Sequence, residues 1–260
     1  MPVKGVLFDF SGTLLRSESV SDWLRASLAA CGVELPEPGL SRLADELAAA
    51  GALPGGPKPA VIPPHLVEVW AARDASMEHH RAAYTGLARG VHLPDPRLCD
   101  ALYERHMEPA AWRPYPDAAE VLGALRERGL GIAVVSNIGW DLRPVVRAHG
   151  LDAFVDAYTL SYEHGVQKPD VRLFRAACEA LGLHPADVLM VGDDRHADGG
   201  AADLGCAVHF VDPLPAEERP APRKVLDLVD RADRADRADR YEPCGPRGPD
   251  SSAQRPGERH

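Results

Sequence analysis

Four short apolar runs punctuate the chain: "VKGVLFDF" at 3–10, "GIAVVS" at 131–136, "DVLMVG" at 187–192 and "CAVHFV" at 206–211. Each is nearly continuous rather than alternating, the pattern of a parallel strand covered on both faces. Between them, apolar residues recur at helical spacing. In "PDAAEVLGALRERG" (116–129), Ala119, Val121, Leu122 and Leu125 share one side and Gly129 stops the helix. "DVRLFRAACEALG" (170–182) reads the same way, with Asp170 as N-cap and Gly182 as terminator. Strands alternating with helices imply βαβ units. The expected fold is therefore α/β, a doubly wound, mostly parallel, Rossmann-like sheet.

The rhythm breaks between about residues 16 and 113. Helical patterns at 19–31, 40–50, 64–89 and 95–107 follow one another with no strand among them. "GALPGGPKPAVIPP" (51–64) is too rich in Gly and Pro for a helix and reads as a loop. The expected organisation is a core made of 1–15 and 114–215, an inserted α-helical domain over 16–113, a helical extension over 216–240 and a disordered tail over 241–260. In the extension, "KVLDLVD" suits a last helix and "DRADRADRADR" is a tandem repeat. A helix there sets Asp230, Asp233 and Asp236 four residues before Arg234, Arg237 and Arg240, a mildly favourable order. Nothing larger than Ala in the repeat is available to bury, so a solvated extension is expected.

Composition narrows the function. With 260 residues and 45% hydrophobic content the chain has ample material for a core. A net charge of −10 repels nucleic acid and anionic membranes, so any anionic substrate must be drawn in by local positive charge. The five cysteines form no CxxC pair, which suggests neither a disulfide framework nor a structural zinc site. No basic segment followed by a long apolar stretch opens the chain, and no run is long enough to span a bilayer. A soluble cytoplasmic protein is expected.

Strand ends in a doubly wound sheet face a common crevice. Asp9 follows the first run, leading into Ser11, Gly12 and Thr13; Ser136 and Asn137 close the second; Asp193, Asp194 and Asp198 follow the third. Lys168 lies in "VQKPD", just before a helix. Singly these are ordinary: an aspartate that caps a turn, a solvated loop lysine. Together they bring a carboxylate, a hydroxyl, an ammonium and a cluster of acids to one sheet edge. Gathered carboxylates call for a hard divalent cation such as Mg²⁺. Asp9 then serves as nucleophile toward phosphorus, Lys168 neutralises charge, and Ser136 donates to a phosphoryl oxygen.

The quartet "DFSGT", "VVSN", "QKPD" and "VGDDRHAD" resembles the haloacid dehalogenase (HAD) superfamily, in the branch with a helical cap inserted after the first motif. The resemblance covers roughly residues 3–213. It implies that 16–113 is the cap and that Asp9, Ser11, Ser136 and Lys168 form the catalytic set. It also implies that Thr13, Ser136, Asn137 and Lys168 bind substrate. Mg²⁺ is expected at Asp9, the Ser11 carbonyl and Asp193, with Asp194 beside them; Asp194 and Asp198 tune its water shell or hold Lys168. Members that remove halide lack the acidic metal motif, so the expectation is a Mg²⁺-dependent phosphomonoesterase acting on a small phosphorylated metabolite.

Ser11 departs from the pattern. In phosphatases resembling this chain the residue two after the nucleophile is usually Asp, which protonates the leaving oxygen and then activates water. A serine hydroxyl does not titrate near neutrality, and such help is worth about 10²- to 10⁴-fold. Three readings follow: a phosphatase that acts on substrates with good leaving groups or borrows a proton donor from the cap or the substrate, with His79, His80 and His106 as candidates; C–P or C–halogen chemistry, with Lys58 as the cap lysine that C–P cleavage would use; or a weakly active or non-catalytic protein that binds a phosphorylated ligand or a protein partner. Lys58, in its Pro/Gly loop, reads as a solubility residue. The four tryptophans read as packing, with Trp140 and Asp141 best placed to line the site.

Overall fold

The computed structural model describes residues 2–212 and 223–240. In chain order it runs β1 (Gly5–Phe8), β2 (Leu15–Ser17), α1 (Val20–Cys31), α2 (Gly39–Ala50), α3 (Val67–Ala71), α4 (Met77–Ala88), α5 (Leu98–Arg105) and β3 (Trp112–Pro114). It continues with α6 (Ala118–Glu127), β4 (Gly131–Ser136), α7 (Arg143–Ala148), β5 (Ala157–Leu160), α8 (Ser161–His164), α9 (Val171–Ala180), β6 (Val188–Gly192), α10 (Ala201–Leu204), β7 (Ala207–Phe210) and α11 (Arg223–Arg240).

The apolar runs form a five-stranded parallel sheet in the order β5-β4-β1-β6-β7. The continuous pattern has a simple cause: both faces are covered. Val6, Phe8, Ile132, Val134 and Val191 pack on one side with Val121 and Leu125 of α6, whereas Leu7, Ala133, Val135 and Met190 pack on the other with Leu173 and Phe174 of α9. β1 lies in the middle, so Asp9 leaves the sheet at the centre of its C-terminal edge. Asp170 caps α9 by accepting the Arg172 N–H, as expected.

Three features differ from expectation. β5 was not foreseen, because this four-residue edge strand has two half-buried positions and a polar Tyr-Thr pair. β2 and β3 pair antiparallel at the two ends of the helical insertion, Leu15 against Pro114 and Ser17 against Trp112. Three residues each are too few to display a period of two. The expected helix over 64–89 is interrupted. α3 stops at Ala71, and α4 begins only after Ser76, which is extended and whose hydroxyl accepts the His79 N–H.

The insertion has its own core, in which Leu24 and Leu28 of α1 meet Leu43 and Leu47 of α2 and Leu98 and Leu102 of α5. At the other end of the chain, α11 buries Val225 and Val229 in the core beside α6. Asp230 accepts from Arg128 at 3.0 and 3.2 Å, so the acid expected to face Arg234 also ties the helix to the core, and both arginines lower its pKa. The side chains of the expected pairs Asp233–Arg237 and Asp236–Arg240, the stretch 216–222 and the tail 241–260 lie outside the described residues. Among the described residues, no helix is long and apolar enough to cross a membrane.

Candidate active site

The loop after β1 is shaped by backbone bonds. The Asp9 N–H donates to the Val191 carbonyl at 2.9 Å, extending the ladder between strands, and the Phe10 carbonyl accepts from Leu14 and Leu15 at 3.0 Å each. Gly12 has φ +82° and faces Asp193 so closely that a Cβ would collide with that carboxylate. Glycine is therefore required twice over, by conformation and by space. Thr13 is buried and its hydroxyl lies 3.5 Å from Asp9 Oδ2.

Lys168 reaches this point from the segment before α9. Its Nζ donates to Asp9 Oδ1 and to Asp198 Oδ1, both at 2.6 Å, with the lysine side chain 2% and Asp198 0% exposed. Asn137, after β4, grips the same residue by its backbone: its Oδ1 accepts the Lys168 N–H at 2.6 Å and its Nδ2 donates to the Lys168 carbonyl at 2.9 Å. The Asn137 amide thus positions the lysine. Ser136 is buried at the end of β4 and lines the same cleft.

Beyond β6, Asp9, Asp193 and Asp198 bring carboxylate oxygens within 4.8 Å of one another. Burial raises the Asp9 carboxyl above its ordinary range; Lys168 opposes the shift, and Asp198 and Asp193 add to it. Asp193 is raised by burial and by Asp198, again against Lys168. For Lys168, burial disfavours the charge, but Asp9 and Asp198 outweigh it and hold the ammonium protonated. An all-oxygen donor set with mutual repulsion fits a hard divalent cation. Both Asp198 oxygens are engaged, Oδ1 by Lys168 and Oδ2 by the Asp194 N–H, whereas Lys168 takes only Oδ1 of Asp9, so Asp9 Oδ2 and the Asp193 carboxylate are the oxygens open to a cation.

Asp194 was expected beside the metal, but its carboxylate is engaged elsewhere. Oδ1 accepts the backbone N–H groups of His196 and Ala197 at 2.9 and 3.0 Å, and Oδ2 meets Lys58 Nζ at 3.1 Å. An acid next to Asp193 in sequence finds its closest donors in its own tight turn. Burial would raise its pKa; the Ala197 N–H and Lys58 reverse that and lower it.

The cleft above these groups measures about 520 Å³. The sheet edge supplies Asp9, Ser11, Ser136, Lys168 and Asp193; the helical insertion supplies Leu53 to Lys58, Trp70, Arg73, Asp74, His80 and Tyr84. Gly55 stands opposite Ser11, where an added Cβ would lie 3.4 Å from the serine oxygen. Lys58, read from sequence as a solubility residue, thus belongs to a loop at the mouth of the site. Trp70, Trp112 and Trp140 also line the cleft, whereas Asp141 is exposed and pairs with Arg143. Of the three histidines, His79 is exposed, His80 lines the cleft, and His106 is buried with its Nδ1 on the Tyr103 carbonyl. Burial pushes His106 down to about 3, so it stays neutral. The cleft residues that sequence reading missed, Arg73 and Asp74, sit in the interruption between α3 and α4. The only signal for it was the Ser76 cap.

The model of one family, described as haloacid dehalogenase-like hydrolase, matches residues 3–203. The chain belongs to this family. Among curated HAD relatives, it is 36% identical to (S)-2-haloacid dehalogenase 4A of Burkholderia cepacia over 126 residues, 47% of this chain and 53% of the relative. It is 33% identical to ribulose-1,5-bisphosphate 5-phosphatase of Halopiger xanaduensis over 144 residues, 52% of this chain and 59% of the relative. The chain thus spans little more than half the length of these two relatives. The structure of the Bacillus subtilis HAD-hydrolase YfnB bound to magnesium superposes with a TM-score of 0.64 at 15% identity, covering 88% of this chain and 100% of the other. At that identity the likeness concerns the fold. HAD relatives with dehalogenase and with phosphatase names both occur.

Proposed function

We propose that this HAD hydrolase is a Mg²⁺-dependent phosphomonoesterase acting on a small phosphorylated metabolite, with the helical insertion as its cap. The observation that carries the reading is the buried ammonium of Lys168 held between Asp9 and Asp198, with Asp193 alongside. A nucleophilic carboxylate and a phosphate dianion repel, and a site that joins them must supply positive charge. Lys168 supplies part. Asp9, Asp193 and the Ser11 carbonyl would hold Mg²⁺, which would supply the rest by neutralising phosphate charge.

In this reading Asp9 attacks phosphorus with one carboxylate oxygen, the ester oxygen departs, and an aspartyl phosphate forms. Ser136 donates its hydroxyl proton as a hydrogen bond to a phosphoryl oxygen. Asn137 holds Lys168 against the nucleophile through both its amide atoms. The Leu53–Lys58 loop and the tryptophans of the cleft limit access of bulk water.

Phosphate release from an aryl, an acyl and an alkyl phosphate, with Mg²⁺ or with EDTA, tests the reading in wild type and Asp9→Asn. Turnover that needs both Mg²⁺ and Asp9 is expected. Metal-independent halide release from a 2-haloacid, with no phosphate release, would replace the reading by carbon–halogen cleavage. Absence of both activities would move the chain to the binding proteins of the fold.

A further inference from the structure

The loop after β1 carries no proton donor, since Ser11 stands where an acid is needed for any substrate with a poor leaving group. The described residues offer one carboxyl that enters the same cleft from the opposite wall. Asp74 is 4% exposed and lies in the break between α3 and α4. Its backbone is pinned to the core at both polar atoms. The Asp74 N–H donates to Gln167 Oε1 at 2.8 Å, and the Ser161 hydroxyl donates to the Asp74 carbonyl at 2.5 Å. Gln167 in turn donates from Nε2 to the Ala71 carbonyl at 2.8 Å. Gln167 immediately precedes Lys168, so the segment that delivers the ammonium to Asp9 also fixes Asp74.

We infer that Asp74 is the proton donor to the leaving oxygen, doing from the helical insertion what Ser11 cannot do from the core. The inference rests on the phosphomonoesterase reading. In the first step the Asp9 carboxylate forms a bond to phosphorus, the P–O bond to the alcohol breaks, and the Asp74 carboxyl gives its proton to that oxygen. The products are the free alcohol, the aspartyl phosphate and the Asp74 carboxylate. In the second step a water oxygen attacks phosphorus and Asp74 takes one of its protons. Asp9 and inorganic phosphate are released, and the Asp74 carboxyl is restored. No oxidant, reductant or second substrate is needed.

The surroundings suit that role. Arg73 Nη2 is 3.3 Å from Asp74 Oδ2 and His80 Nε2 is 3.8 Å from Oδ1. Tyr84 of α4, Tyr103 of α5 and Lys168 are the other titratable groups that act on it or feel its charge. Burial raises the Asp74 pKa, and Arg73 and Lys168 only partly offset this. His80 is driven well below its ordinary value by burial, with His106 and Arg73 adding, and so remains neutral. Asp74 is thus the carboxyl on the insertion side of the cleft, and burial favours its protonated form.

The test compares Asp74→Asn with wild type on an alkyl phosphate and on p-nitrophenyl phosphate, whose leaving group needs no proton. The variant should lose about 10²- to 10⁴-fold in kcat/KM on the alkyl ester, the usual size of general acid-base help. On the aryl ester it should lose less than about tenfold. The fall of wild-type kcat/KM at high pH on the alkyl ester should vanish in the variant. Ser11→Asp in the Asp74→Asn background should restore alkyl turnover, which a packing role for Asp74 would not allow. Equal losses on both esters, an unaffected alkyl ester or failure of that rescue would each overturn the inference while leaving the phosphatase reading intact. Absence of phosphate release from both esters in wild type would overturn the two together.

Discussion

Lys168→Met removes an ammonium that sits 2.6 Å from both Asp9 and Asp198. At an effective dielectric of about 20, each contact is a gross attraction of roughly 6 kcal/mol, most of which offsets the dehydration of the three charges. Its removal leaves carboxylate oxygens within 4.8 Å of one another, repelling by about 3 kcal/mol per pair at the same dielectric. The expected loss of stability is about 3–5 kcal/mol, the cost of stranding buried charge. Asp198→Asn keeps one acceptor oxygen for the Asp194 N–H and should cost less, about 1.5–3 kcal/mol. If the lysine is held chiefly by charge, the double variant recovers part of the loss, because the ammonium and the acid it neutralised leave together. A coupling of about 2 kcal/mol is expected. Urea unfolding of the four proteins in EDTA at neutral pH measures it. Additivity to within about 0.5 kcal/mol would refute the account and reduce Lys168 to a packing residue.

Lys58→Ala should change stability by less than about 1 kcal/mol, since its side chain is 82% exposed and its bond to Asp194 is a surface pair. It should raise KM for phosphorylated substrates several-fold by freeing the loop over Ser11; an unchanged KM would exclude that role. Gly200→Ala drives a Cβ into the Pro169 carbonyl, backbone that moves only with Lys168. A loss of about 1–3 kcal/mol in thermal unfolding and a parallel fall in turnover are expected, and wild-type behaviour would show that the segment yields. His106 titrates near 3 when folded and near 6.5 when unfolded, so between those values the unfolded chain binds more protons. Stability therefore falls as pH drops through that window, by up to about 1.4 kcal/mol per pH unit. His106→Asn, which keeps a donor for the Tyr103 carbonyl, should flatten the dependence, and equal slopes would contradict it.

What the sequence revealed and what it hid divide along a physical line. Strands such as "GIAVVS" are legible because burial on both faces imposes a continuous apolar run, and Asp9, Ser136 and Asp193 stand out as candidates because they close or follow such runs directly. β5 escaped because an edge strand needs little apolar content, and β2 and β3 because three residues carry no period. The engagement of Asp194 away from Asp9 has a different origin. Spacing sets Asp193 and Asp194 side by side, but which carboxylate faces Asp9 depends on turn geometry, and the N–H groups of His196 and Ala197 claim the second one. The places of Lys58 and Asp74 at the cleft were hidden for a third reason: they come from the docking of the insertion on the sheet edge, contacts separated by 136 residues between Lys58 and Asp194 and by 93 between Asp74 and Gln167.

That third class bears on the chemistry. A proton donor two residues from the nucleophile travels with it, and its position is independent of the cap. A donor on the insertion is in place only while the insertion is docked, and here the docking bonds run to Ser161 and Gln167. Because Gln167 is the neighbour of Lys168, any displacement of the insertion that pulls on Gln167 also pulls on the ammonium between Asp9 and Asp198. Nucleophile, counter-charge and proton donor are then assembled by one event, closure of the cleft. Loss of the acid at position 11 makes turnover conditional on that closure, so a substrate too small to hold the insertion down would be bound by the core and left intact.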